Sequence, residues 1–203
     1  MGTHNVKIHL DKYICQPYRP EMAYLIEIQT KSGTNKCRTD KTRRDALLGY
    51  LERLKMTEED YRQLEIAAKA PWYLNAEGII FIPRHQLAGM LVETSKRINK
   101  SAIGTKFEPD NLRSEIVISD FVTELLPTAA KLYSRYVRNE KTNMRRLQED
   151  PYVENFDATG TVELTTEVKP DHAKALITQG LKKIGLGSAR KMGYGRGEMV
   201  SFS

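Results

Sequence analysis

Apolar and polar residues alternate along NVKIHL, where Val6, Ile8 and Leu10 fall on one face, so the pattern predicts a half-buried strand. Two prolines in CQPYRP break the run. AYLIEIQT alternates again, with Tyr24, Ile26 and Ile28 on one face, and predicts a second strand; KSGTN reads as the turn of a hairpin. From 40 to 69 the period lengthens to that of a helix. DKTRRDALLGYLERLK aligns Ala46, Leu47, Tyr50, Leu51 and Leu54. TEEDYRQLEIAAKA follows, with Thr57 as N-cap, Asp60 three residues on, and Glu58 and Glu59 at the positive end of the helix.

Further on, NAEG marks a turn, residues 79–82 form an apolar run, and Pro83 opens a helix over 84–98 with Leu87, Met90, Leu91, Thr94 and Ile98 on one face. SEIVISDF predicts a short strand. Residues 127–149 read as a basic helix: Lys131, Arg135 and Arg138 recur at i, i+4 and i+7, and Lys141, Arg145 and Arg146 follow. EDPYVENFDATG reads as loop, and TGTVELTTEV as a strand. Ala173, Leu176, Ile177, Gly180, Leu181 and Ile184 form the stripe of a helix over 171–184 that Gly185 stops. EMVSF closes the chain as a strand.

With 40–69 set aside, the order is strand, helix, strand, strand, helix, strand. That is the split βαβ, ferredoxin-like order of an α+β fold, with two helices on one sheet face and the other face open. The expectation is a single domain over 1–203, a helical insertion at 40–69, and a thumb or basic helical insertion at 121–155.

Charge narrows the partners. Lys and Arg number 32 against 26 Asp and Glu, a net +6, which favours a polyanion such as nucleic acid. Cys15 and Cys37 are too few for a disulfide scaffold and lack metal-ligand spacing, so the expectation is a reduced, cytoplasmic protein with no metal or cofactor. No window approaches the roughly 18 apolar residues of a membrane span, and MGTHNVKIHLDKY lacks a signal-peptide core.

Five of the 13 glycines crowd into GLGSARKMGYGRGEM, interleaved with Arg190, Lys191 and Arg196. The dinucleotide pattern GxGxxG needs a following helix, and here a strand follows; GxxxxGK[ST] is absent. Glycine amides can still converge on an anion. Lys182 and Lys183 lie just upstream, and Tyr194 offers a ring for a base, so RNA or single-stranded DNA suits the loop better than a small nucleotide. A helix cap and a turn account for Gly185 and one more glycine, not for five. Gly193→Val is expected to damage both binding and stability.

GLGSARKMGYGRGEMVSF, after an amphipathic helix, resembles the C-terminal glycine-rich loop of the RAMP superfamily of CRISPR-associated proteins. FIPRHQLAGMLVETSKR is similar to the "IP-G-S-S-L-K-G-x-L-R" segment of backbone subunits in CRISPR effector complexes. Phe81, Ile82, Pro83, Leu87 and Gly89 match; Arg84 replaces a Gly, His85 and Gln86 replace two serines, and Ala88 a Lys. The two motifs span roughly a fifth of the chain. The resemblance implies a modified RNA-recognition fold that grips guide RNA by its sugar-phosphate backbone, with copies stacked along the RNA beside other effector subunits. It implies RNA contacts from Lys182, Lys183, Gly185, Gly187, Ser188, Arg190, Lys191, Gly193, Tyr194, Gly195 and Arg196, and from Arg84, His85 and Gln86. Lys131, Arg135, Arg138 and Arg145 are further candidates. The thumb that kinks the guide in such proteins falls at 18–40 or 121–155.

Some relatives cut target RNA with an aspartate shortly before the "IP" segment; AAKAPWYLNAEG has none. Of His4, His9, His85 and His172, only His85 sits where relatives touch RNA, and it is the sole candidate base. Three functions stay open: a non-catalytic guide-RNA subunit for antiviral defence, a metal-independent endoribonuclease that processes repeat RNA, and a virus-encoded mimic that disables a complex.

Overall fold

The structure, a computed structural model, describes residues 2–15, 20–138 and 145–203, and of 135–138 and 145–148 the backbone alone. The chain divides into two compact units: residues 17–71, and residues 1–16 with 72–203.

In the smaller unit, α1 (Pro20–Lys31), α2 (Asp40–Leu54) and α3 (Glu58–Lys69) pack on one another. The second predicted strand is therefore a helix, and the predicted hairpin is absent. Pro20 sets the first turn of α1. Leu25 and Ile28, three apart, are buried, whereas Tyr24 and Ile26 of the alternating set are exposed. Glu27 and Lys31 pair at i, i+4, 2.5 Å apart. Thr57 caps α3 as predicted: its hydroxyl accepts from the Asp60 amide, while the Asp60 carboxylate accepts from the Thr57 amide at 3.0 Å.

The larger unit holds β1 (Gly2–Tyr13), β2 (Tyr73–Leu74), β3 (Ile80–Ile82), α4 (Arg84–Arg97), α5 (Lys100–Ile103), α6 (Leu112–Glu115), β4 (Ile116–Ile118), β5 (Phe121–Val122), β6 (Lys131–Arg138), β7 (Arg145–Leu164), α7 (Pro170–Gln179) and β8 (Gly197–Phe202). The sheet runs β2-β3-β5-β7-β1-β8, with β4 and β6 also paired to β7. Reduced to β1, α4, β4/β5, β7, α7 and β8, it is the ferredoxin-like fold: the last strand beside the first, the first beside the third, the third beside the second, all antiparallel. Val6, Ile8 and Leu10 of β1 lie fully buried with Leu87, Met90 and Leu91 of α4 and Ala173, Leu176 and Ile177 of α7, so the two helices share the core with the inner sheet face.

The described residues of 121–155 hold no basic helix. KLYSRYVR is a strand whose Lys131–Arg138 stretch pairs with Arg145–Tyr152 of β7, and the predicted loop EDPYVENFDATG is the middle of that same strand. Tyr133, Tyr136 and Val137 are β-formers, and their preference prevails over a helical spacing of three cations. Lys141 lies outside the described residues. β7 thus serves twice: its first part builds a hairpin with β6, and Val153–Leu164 joins β1 in the sheet.

A candidate nucleic-acid interface

α4 and α7 run so that the first turn of α4 meets the segment following α7. Close approach of the two helices requires Gly180, where a Cβ would stand 2.9 Å from Met90 Cε and Thr94 Oγ1. α7 continues as a wider turn, Gly180–Ile184, and stops at Gly185, whose amide donates to the Gly180 carbonyl at 2.9 Å. Lys182 and Lys183 project outward from that turn, while Leu181 and Ile184 are buried.

The two sequence motifs come together here. His85, Gln86, Gly89 and Glu93 of α4 face Gly185, Gly187 and Arg190 across a groove of about 240 Å³. Gln86 is fixed from below: its side-chain oxygen accepts from the Tyr13 hydroxyl at 2.7 Å. Burial pushes the Tyr13 hydroxyl well above its ordinary pKa, which keeps it a donor. His85 is exposed, its ring edge-on to Tyr73 at 5.7 Å. Arg84 is exposed too, and its amide donates to the Asp120 carboxylate at 2.7 Å.

The glycines do not form the expected cradle. A Cβ on Gly195 would lie 1.8 Å from the Leu186 carbonyl oxygen, one on Gly197 1.9 Å from that of His9, and one on Gly187 2.3 Å from that of Ile14. Gly185 and Gly195 are buried. The amides are spent internally: Leu186 donates to Gly195, Gly195 to Lys12 and Ser188 to Ile14, at 2.8, 2.5 and 2.8 Å. The loop is a backbone knot tied to the end of β1. Packing accounts for four of the five glycines; Gly193 alone among them has open space where its side chain would be. The expectation that Gly193→Val would be the damaging change therefore moves to Gly195.

Tyr194 is no stacking platform. It is buried between Tyr133 of β6 and Tyr152 of β7, with ring centroids 5.5 and 5.8 Å away. Arg190 is held by Glu93 at 2.5 Å, and the same carboxylate takes Arg97 at 2.8 Å. Lys191 and Arg196 are exposed and, with Lys182 and Lys183, form no ion pair with a described residue. Lys131 is bound to Glu154, which raises its pKa through the hydrogen bond and the neighbouring charge. Arg135, Arg138 and Arg145 lie in the β6–β7 ladder, and their side chains fall outside the described residues. Trp72 is buried in the core.

The open sheet face carries little for a nucleobase. Its central strands present Lys7, His9, Asp157 and Thr159, with no Phe, Tyr or Trp among them, and the His9 ring is engaged by Asp157. Asp157 joins Lys7 at 2.7 Å and His9 Nδ1 at 2.8 Å. The His4 ring stacks on Phe202 at 4.7 Å.

The Asp157 carboxyl titrates below its ordinary 3.8, first because Lys7 and His9 hydrogen-bond its charged form. Its contribution to stability is therefore full above 3.8 and vanishes as pH falls through the lower folded value. Asp157 is exposed and both partners are half-exposed, so the effect is small. Melting temperatures of the wild type and Asp157→Asn should differ slightly near neutrality and converge in acid. A gap that widens in acid would contradict this sign.

Fold and groove together define a ferredoxin-like α+β protein with a helical insertion and a cleft between the first turn of α4 and the segment that follows α7. No family model matches the chain, and no curated protein matches it. Among solved structures it is similar to a chain of a Type IV-B CRISPR complex, with TM-score 0.45 at 10% identity over 100% of this chain and 90% of that one. It is also similar to Cmr6 from Pyrococcus furiosus, with TM-score 0.41 at 10% identity over 97% and 98%. Likenesses this distant assign no residue a role.

Proposed function

We propose that the chain is a non-catalytic, RNA-binding subunit of a CRISPR ribonucleoprotein, gripping guide RNA by its sugar-phosphate strand. One observation carries the reading: the two segments that resemble RAMP motifs, far apart in the chain, face one groove through Gln86 and Gly185, and the glycine-rich segment with the turn before it carries four exposed cations that form no ion pair with a described residue. Lys182, Lys183, Lys191 and Arg196 supply charge by side chain, in place of the amide cradle. His85 and Gln86 line the groove from α4, with Arg84 next to them in the chain. The β6–β7 hairpin is the thumb in this reading, and stacked copies and other effector subunits are its partners.

The test is a salt titration of binding to an oligoribonucleotide, together with the 260/280 absorbance ratio of the purified protein. Affinity should fall linearly on a log–log plot, by about 0.7 per phosphate neutralised. Salt-independent binding, or none, refutes the proposal. Metal-free cleavage of repeat RNA that disappears in His85→Ala would turn it to the endoribonuclease.

A further inference from the structure

On the far side of the first turn of α4 lies a second cavity, of about 270 Å³, lined by Arg84, His85, Ala88, Arg113 and the three residues of β4. His85 borders both this cavity and the groove, so one strand of nucleic acid can run from one to the other. β4 pairs only with β7 among the described residues; on its other edge the Ile116 amide donates to the Leu112 carbonyl, which leaves the main chain of Ile118 as the open part of that edge, beside the apolar side chains of Ile116, Val117 and Ile118. Val117 is 47% exposed. Arg84 and Arg113 are exposed and form no ion pair with a described residue.

We infer that this cavity receives one nucleobase turned out of the RNA strand, with Arg84 and Arg113 holding the adjoining phosphates. The inference rests on the RNA-binding reading and adds to it a pocket for a base. Its size is below the roughly 300–1,000 Å³ of pockets for drug-sized ligands and suits a single planar ring. Apolar walls take the faces of the ring, and the main-chain amide and carbonyl of Ile118 meet its edge. A three-residue edge is too short to seat an added protein strand firmly, whereas two unpaired guanidinium groups match phosphate in charge and geometry. An acidic protein segment is therefore the less favoured occupant.

The experiment compares binding of oligoadenylate with that of an abasic ribose-phosphate oligomer of equal length. The wild type should prefer the intact oligomer by about tenfold, the scale of one stacked base. Ala88→Leu, which fills the cavity, should bring that preference close to one while leaving abasic binding unchanged. Val117→Phe, at an exposed strand position, does the same job should Ala88→Leu melt early. Arg113→Gln should weaken both oligomers and lower the salt slope by about 0.7. Absence of any oligomer binding overturns this inference and the proposed function together. Retained binding without the preference, or a preference that survives both filled variants, overturns the base pocket alone and returns the β4 edge to an acidic protein segment.

Discussion

Gly195→Val should unfold the protein or come close to it. The residue has φ +74°, and its Cβ would stand 1.8 Å from the Leu186 carbonyl oxygen and 2.5 Å from the Leu186 nitrogen, both backbone atoms. Backbone cannot step aside as a side chain can. Relief would break the hydrogen bond from Leu186 to Gly195 and the one from Gly195 to Lys12, which tie the loop to β1. The left-handed conformation alone costs a residue with a Cβ about 1–2 kcal/mol. Overpacking adds roughly 1–3 kcal/mol. Against a total stability of about 5–15 kcal/mol, such a loss decides whether the chain folds at 37 °C. Gly193→Ala is the control: φ is +88°, yet its Cβ enters open space, so only the conformational part applies. Urea denaturation should show a large fall in midpoint for Gly195→Val and a modest one for Gly193→Ala. Equal midpoints would show that the knot does not hold the loop to β1.

That contrast explains what a sequence can and cannot disclose about such a loop. The elements around it were legible, because burial imposes periods: the stripes of α4 and α7 and the alternation of β1 all mark faces that are buried. The ferredoxin-like order follows from those elements. The density of glycine was legible too, but not its cause. A glycine that lets an anion approach and a glycine that lets a carbonyl approach are the same letter, and here the approaching groups are the carbonyls of Leu186, Ile14 and His9. Tyr194 misled for a related reason: its neighbours Tyr133 and Tyr152 come from a hairpin that the sequence presented as helix and loop. In both α1 and β6 a short run satisfied two periods at once, and contacts distant in sequence chose between them. The meeting of the two motifs in one groove has no local signature; it depends on α4 and α7 crossing at Gly180.

The second large effect separates charge from structure around the glycine-rich segment. Replacing Lys182, Lys183, Lys191 and Arg196 by Ala should lower affinity for an oligoribonucleotide on the order of 100-fold and reduce the salt slope by about 3. The melting temperature should barely move, since all four side chains are exposed and form no ion pair with a described residue. Arg190→Ala should behave in the opposite way. Its guanidinium is already engaged by Glu93, so a phosphate gains little from it, and its removal leaves Glu93 with Arg97 alone. The expected result is a small change in salt slope with a measurable fall in melting temperature. Each cation therefore has a distinct signature in two measurements, slope and stability. If Arg190→Ala flattened the slope as much as the fourfold variant, the phosphates would lie in the groove itself, displacing Glu93, rather than along the four exposed cations. If neither variant changed the slope, the strand would bind elsewhere on the molecule, and the meeting of the two motifs would be a matter of folding alone.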